Sequence, residues 1–151
     1  IPGLKRFLSE SKCHLAVSLH NPIADERREI MPAQKAFPIE LIIEEIKRYD
    51  FSGQRRVSFE YTMFKGVNDQ PRHINALVSM LDGLECRVNL IRFHTVPDIQ
   101  LEGTPMEKMI AFRDELNKRG ITATIRKSRG EDIFAACGLL STKKLEKSSD
   151  R

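Results

Sequence analysis

Apolar residues recur along this chain with two different periods, and the periods take turns. Residues 13–20, CHLAVSLH, alternate with period two and read as a strand, with Leu15, Val17 and Leu19 on one face and His14, Ala16, Ser18 and His20 on the other. Asn21-Pro22 ends it, and a short helical turn over 24–31 stops before Pro32. Ile39, Ile42, Ile43, Ile46 and Tyr49 then follow the three-four spacing of a helix opened by Pro38. Val57, Phe59, Tyr61 and Met63 alternate with Ser58, Glu60 and Thr62 in a second strand over 56–63. A loop at 66–69 follows, with Asp69 placed to cap the next helix, whose stripe is Ile74, Leu77, Val78 and Leu81 and whose end is Asp82-Gly83. A third strand covers 87–93, and a loop runs over 94–103. Thr104-Pro105-Met106-Glu107 reads as a capping box opening a helix that carries Met109, Phe112 and Leu116 inward and stops at Gly120. Ile121, Ala123 and Ile125 alternate in a fourth strand.

Strands separated by helices imply βαβ units, an α/β fold and a mainly parallel sheet. Such strands are usually apolar on both faces because helices cover both. Ser18, His20, Ser58, Glu60 and Thr62 break that rule. Either a barrel with a polar, ligand-holding interior accounts for them, or a sheet face left open because its covering domain is missing.

Composition narrows the class without choosing a function. The 151 residues are 40% hydrophobic and 30% charged, enough for one globular domain over 1–140, and the polar stretch 141–151 reads as a loose tail. A net charge of +4 and a pI of 9.1 allow an acidic partner. Three widely spaced cysteines, Cys13, Cys86 and Cys137, argue against a disulfide framework and for a reducing cytoplasm. No CxxC, CxxxC or HExxH spacing supplies a metal-ligand set, no apolar run is long enough to span a membrane, and no P-loop, dinucleotide fingerprint or nucleophile elbow is present. The start at Ile1-Pro2-Gly3 reads as a piece cut from a longer protein.

Candidate chemistry falls in three places. In RKSRGEDIFAACG, 126–138, Cys137 stands among Ala135, Ala136 and Gly138, downstream of Arg126, Lys127 and Arg129, whose charge favours a thiolate if folded nearby. The bland alternative is a small buried hydrophobe. Ser18, Leu19 and His20 end the first strand and His94 ends the third, where α/β folds place their sites; the histidines contact a small ligand or merely bond loop backbone. Glu60 could bind a ligand hydroxyl or amine, or pair with Arg56 or Arg87, the reading an isolated strand carboxylate favours. Basic pairs at 27–28 and 55–56 and the 126–129 cluster, with Phe93 and Phe134 near, suit an RNA surface or solvated helix ends.

LAVSLHNP (15–22), RREIMP (27–32), VSFEYTMFKGVND (57–69), VNLIRFH (88–94) and RKSRGEDIFAACGLL (126–140), in this order and spacing, resemble the C-terminal half of the RlmN/Cfr family of radical-SAM RNA adenine methyltransferases. The resemblance implies part of a (βα)6 partial barrel and an enzyme that methylates an adenine carbon of large-subunit ribosomal RNA, and in some members transfer RNA. It implies S-adenosylmethionine, a 4Fe–4S cluster held by cysteines of an absent first half, and an external electron donor. It casts Cys137 as the methyl-carrying cysteine and Ser18, Leu19 and His20 as the triplet lining the S-adenosylmethionine site. His94 falls where many members have Asn at another cofactor contact. Cys13 and Cys86 match no resolving cysteine and are assigned to packing. The piece alone is expected to be inactive, with an exposed sheet edge that invites association with another copy. The rivals are a radical-SAM enzyme with a non-RNA substrate and a stand-alone RNA-binding module.

Overall fold

The computed structural model describes residues 2–10, 13–49, 56–94, 97–98 and 100–127, with Pro32 and Lys127 as backbone only. The element order is α1 (Pro2–Glu10), β1 (Leu15–Ser18), α2 (Ala24–Ile30), a 3-10 turn (Pro32–Gln34), α3 (Ile39–Lys47), β2 (Val57–Met63), α4 (Pro71–Met80), β3 (Arg87–Arg92), α5 (Met106–Lys118) and β4 (Thr122–Lys127). The four strands form one sheet in sequence order, β1-β2-β3-β4, and every neighbouring pair is parallel. This is the α/β arrangement that the alternating periods predict.

One face of the sheet carries the core. Val57, Phe59, Tyr61 and Met63 of β2, Val88 and Leu90 of β3 and Ala123 of β4 are buried against Leu8 of α1, Ile39, Ile43 and Ile46 of α3, Leu77 of α4 and Met109, Phe112 and Leu116 of α5. Tyr61 stacks obliquely on Phe112 at 5.8 Å between ring centroids and donates its hydroxyl to the Asn68 carbonyl at 2.6 Å. The other face has no helix on it among the described residues. Ala16, Ser18, Ser58, Glu60, Asn89, Thr124 and Arg126 alternate onto it, which explains the polar positions in strands that would otherwise be apolar throughout.

Four local readings need correction. The first strand stops at Ser18 rather than running to 20, because His20 adopts φ 56° and the Asn21 N–H folds back onto the Leu19 carbonyl at 2.7 Å. Asp69 does not cap α4; Gln70 precedes that helix, and the His73 ring Nδ1 accepts from the Gln70 N–H at 3.1 Å. Thr104 does not cap α5 either, because its hydroxyl donates to Asp69 at 2.9 Å and Pro105 occupies the cap position. Helix α1 had no counterpart in the sequence pattern; Leu8 anchors it in the core. Of the cysteines assigned to packing, Cys86 lies against the core and burial pushes its thiol up to about 11, but Cys13 is exposed.

Candidate cofactor-binding site

All four strands run the same way, so the ends of β1, β2, β3 and β4 open onto one rim of the sheet. Loops at such a rim hold ligands in α/β folds. The first piece of the rim is the turn Ser18-Leu19-His20. Leu19 is fully buried and its N–H still reaches the Glu60 carbonyl at 2.9 Å. Beneath the turn lies Arg27 of α2, only 3% exposed. Its guanidinium donates to the Ser18 carbonyl at 2.9 Å, to the Leu19 carbonyl at 2.9 Å and to the Gln34 side chain. Gln34 in turn accepts from the Ile39 N–H at 3.0 Å and donates to Glu40 at 3.0 Å. The rigid fork of the guanidinium thereby sets where two successive carbonyls point.

His20 turns its ring toward β2, where Nδ1 accepts from the Thr62 N–H at 2.9 Å. Burial, with the nearby Arg27 charge adding to it, lowers its pKa to about 4, so the ring is neutral and carries its proton on Nε2 at neutral pH. Asn68 completes this knot. Its Nδ2 donates to the His20 carbonyl at 2.6 Å and the Thr62 carbonyl at 2.7 Å, and its Oδ1 accepts from the Phe64 N–H at 2.8 Å.

A second knot fixes the loop after β3. Asp69 accepts from the Gly66 N–H at 3.0 Å, from Gln70 at 2.7 Å and from Thr104 at 2.9 Å, with Lys108 at 3.4 Å. Burial alone would raise this carboxyl; the hydrogen bonds and Lys108 outweigh it and hold the group below the usual carboxylate range. Phe64 and Gly103 form an antiparallel bridge between the two loops, and a Cβ built on Gly103 would stand 2.0 Å from the Phe93 carbonyl oxygen. His94, the next residue, is exposed at the end of β3. Since β2 lies between β1 and β3, the His20 and His94 backbones belong to strands about 10 Å apart rather than to adjacent strand ends.

The open face carries a cross-strand row in register: Ser18, Glu60, Asn89 and Thr124. The Thr124 hydroxyl donates to Asn89 Oδ1 at 3.1 Å, and Asn89 Nδ2 donates to Glu60 Oε1 at 3.0 Å. Arg126 stands 3.5 Å from the same Glu60 oxygen. Glu60 thus pairs with Arg126, not with Arg56 or Arg87. Along the outer edge of β1 a cavity of about 600 Å³ is lined by Leu4, Val17, Ser18, Arg27, Phe37 and Ile42.

Sequence reasoning therefore places Ser18, Leu19 and His20 together and His94 on the same rim. Cys137 lies outside the described residues, although β4 delivers the chain to this rim at Lys127. Arg27, counted in the sequence among surface cations, is a buried clamp; it follows Leu19 by eight residues, and no period marks it. Asn68, Asn89 and Thr124 were also missed. Asn89 and Thr124 were visible as polar alternates in otherwise apolar strands. The polar, hydrogen-bonding rim and inner face suit a polar cofactor such as S-adenosylmethionine. Among the described residues no three His, Cys, Asp or Glu side chains converge as metal ligands.

Fold and rim together define a parallel βα half-barrel with a polar inner face. A domain of pyruvate-formate lyase-activating enzyme from Bacteroides vulgatus shares that fold at a TM-score of 0.62 and 17% identity, over 83% of this chain and 73% of that one. A radical SAM methyltransferase from Sphaerobacter thermophilus superposes with a TM-score of 0.80 at 40% identity, over 91% of this chain and 40% of that one. No protein-family model matches the chain. Among curated proteins, the probable dual-specificity RNA methyltransferase RlmN of Phocaeicola vulgatus is 61% identical over 145 residues, 96% of this chain and 42% of its own length. The protein of the same name from Geobacillus thermodenitrificans is 42% identical over 144 residues, 95% of this chain and 40% of its length. The chain thus spans about two-fifths of the relatives it matches, and the resemblance carried by the five motifs holds: it corresponds to a part of an RlmN-type protein.

Proposed function

We propose that the chain is the C-terminal catalytic region of a radical-SAM RNA methyltransferase that methylates an adenine carbon of large-subunit ribosomal RNA, with transfer RNA as a second substrate. The observation that carries this reading is its 61% identity, over nearly its whole length, to a protein named a dual-specificity RNA methyltransferase. S-adenosylmethionine, together with a 4Fe–4S cluster bound outside this chain and an external electron donor, would supply the methyl group and the one-electron chemistry. The chain's own contribution begins with the rim. Ser18, Leu19 and His20, held by Arg27 and Asn68, line the cofactor, and the Ser18 and Leu19 carbonyls are already engaged by Arg27, which leaves the turn no freedom to recoil when a ligand arrives. His20 stays neutral, so the cofactor meets no imidazolium charge at the turn. His94 offers a further contact at the end of β3. The Cys137 thiol gives up its proton and receives the methyl group that is passed on to adenine. The proposed domain extends over 1–140 with 141–151 as a tail, a boundary that lies outside the described residues. Among the described residues no helix is long and apolar enough to cross a membrane, and the cytoplasm, with RNA and reduced thiols, is the proposed compartment.

The test uses the full-length protein that contains this chain, reconstituted with cluster, reductant and methyl-labelled S-adenosylmethionine, and offered ribosomal RNA. Digested RNA should contain labelled methyladenosine with the label on carbon, and Cys137→Ala should abolish it. Consumption of the cofactor with no label in RNA would count for a non-RNA substrate and against this reading.

A further inference from the structure

The carboxylate of Glu60 is held in place on the open face by an amide and a guanidinium, and the rim chemistry leaves it without a role. It sits beside Ser18 in the same cross-strand row, and its side chain is 21% exposed. Oε1 takes both the Asn89 amide and the Arg126 guanidinium, and the Asn89 amide is itself oriented by Thr124. Among the described residues Oε2 receives no hydrogen bond. A relay across three strands therefore holds the carboxylate by one oxygen and leaves the other as an acceptor in the row beside Ser18.

We propose that Glu60 Oε2 is a cofactor-positioning acceptor that takes a hydrogen bond from a ribose hydroxyl of the nucleoside bound at Ser18-Leu19-His20. This deepens the proposed function and rests on it. The surroundings favour a neutral hydroxyl over an ammonium group. Arg126 already balances the carboxylate charge, so a second cation would meet repulsion from Arg126 as well as attraction from Glu60. The neighbours in the row, Ser18, Asn89 and Thr124, are all neutral hydroxyl or amide groups, a lining suited to a sugar diol. A carboxylate whose orientation is fixed before binding loses little side-chain freedom when the ligand arrives.

Glu60→Gln is the informative variant. With its amide oxygen accepting from Asn89, it turns an NH2 donor toward the ligand where an acceptor is needed. Binding of S-adenosylhomocysteine and of its 2′,3′-dideoxy analogue is measured by calorimetry on the full-length protein. The wild type should bind the diol form about tenfold or more tightly, as expected for a hydrogen bond to a charged acceptor. Glu60→Gln should bind both forms alike, with the dideoxy affinity unchanged. Asn89→Ser, which leaves the carboxylate but removes its nearer support, should show a reduced diol preference, and it carries the test if Glu60→Gln does not fold. A diol preference that survives undiminished in the variants overturns the proposal for Glu60 while leaving the proposed function standing. A wild type that binds neither nucleoside overturns the proposed function first.

Discussion

His20 and Gly103 show how much single positions at the rim are asked to carry. Burial holds the His20 pKa at about 4, well below the 6.5 of an ordinary imidazole, so the unfolded chain binds more protons between those limits. Its contribution to stability is present above about pH 6.5 and is lost as pH falls toward 4. Chemical denaturation across this range should show stability falling by a few kcal/mol. His20→Asn should flatten that part of the profile while lowering stability at pH 7. Asp69, and Glu26 of α2, which accepts from Arg72 at 3.1 Å and from His73 at 2.9 Å, are held low against the effect of burial by hydrogen bonds that outweigh it, and they act in a lower window, below their usual pKa values. Gly103 is a steric case. Any side chain there collides with the Phe93 carbonyl, and the backbone must give, so Gly103→Ala should cost on the order of 2 kcal/mol or more in urea denaturation and shift the end of β3 that carries His94. Neither effect can be read from the chain one residue at a time. The string SLH announces a strand end, but not that a histidine takes a positive φ there.

At the scale of elements, α3, α4 and α5 were legible because each has an apolar stripe in the core, Ile39, Ile43 and Ile46 in α3, Leu77 in α4, Met109, Phe112 and Leu116 in α5, whereas α1, held there by Leu8, left no such mark in the sequence. Their ends were less legible, since Asp69 and Thr104 have the right side chains for caps and spend them on each other. That exchange ties the loop after β2 to the loop after β3. Asp69→Ala should leave the helices intact and free the second loop, seen as faster hydrogen exchange of the Lys65 amide that now bonds the Glu102 carbonyl at 2.8 Å. The Arg27 clamp works between α2 and β1 in the same way. Arg27→Met would strand the Ser18 and Leu19 carbonyls and the Gln34 side chain in a buried site, and thermal unfolding should report a loss of about 2–4 kcal/mol. Arg27→Lys should recover only part of it, because an ammonium cannot reproduce the fork.

The whole molecule has an unfinished side. Among the described residues strand β1 is paired on one flank only, Phe37 is 51% exposed beside it, and the adjoining cavity is open. Such an edge is a template for another strand. The chain expressed by itself should therefore associate with increasing concentration in analytical ultracentrifugation, and Ala16→Lys, an exposed position on β1, should shift it toward monomer. If both proteins sediment as monomers at every concentration, the edge is not adhesive.

By itself the sequence determined the alternation of strands and helices from β1 onward, the apolar faces of the strands and of α3, α4 and α5, and the resemblance that the comparisons with RlmN proteins bear out, because periodicity and motif strings are local properties of the chain. Only the tertiary structure decided that Arg27 is a buried clamp rather than a surface cation, that Glu60 pairs with Arg126, and that Ser18, Glu60, Asn89 and Thr124 form one row. Those contacts join residues far apart in the chain, as Glu60 and Arg126 do, and for the row the sheet register, set by core packing on the opposite face, is what brings them together.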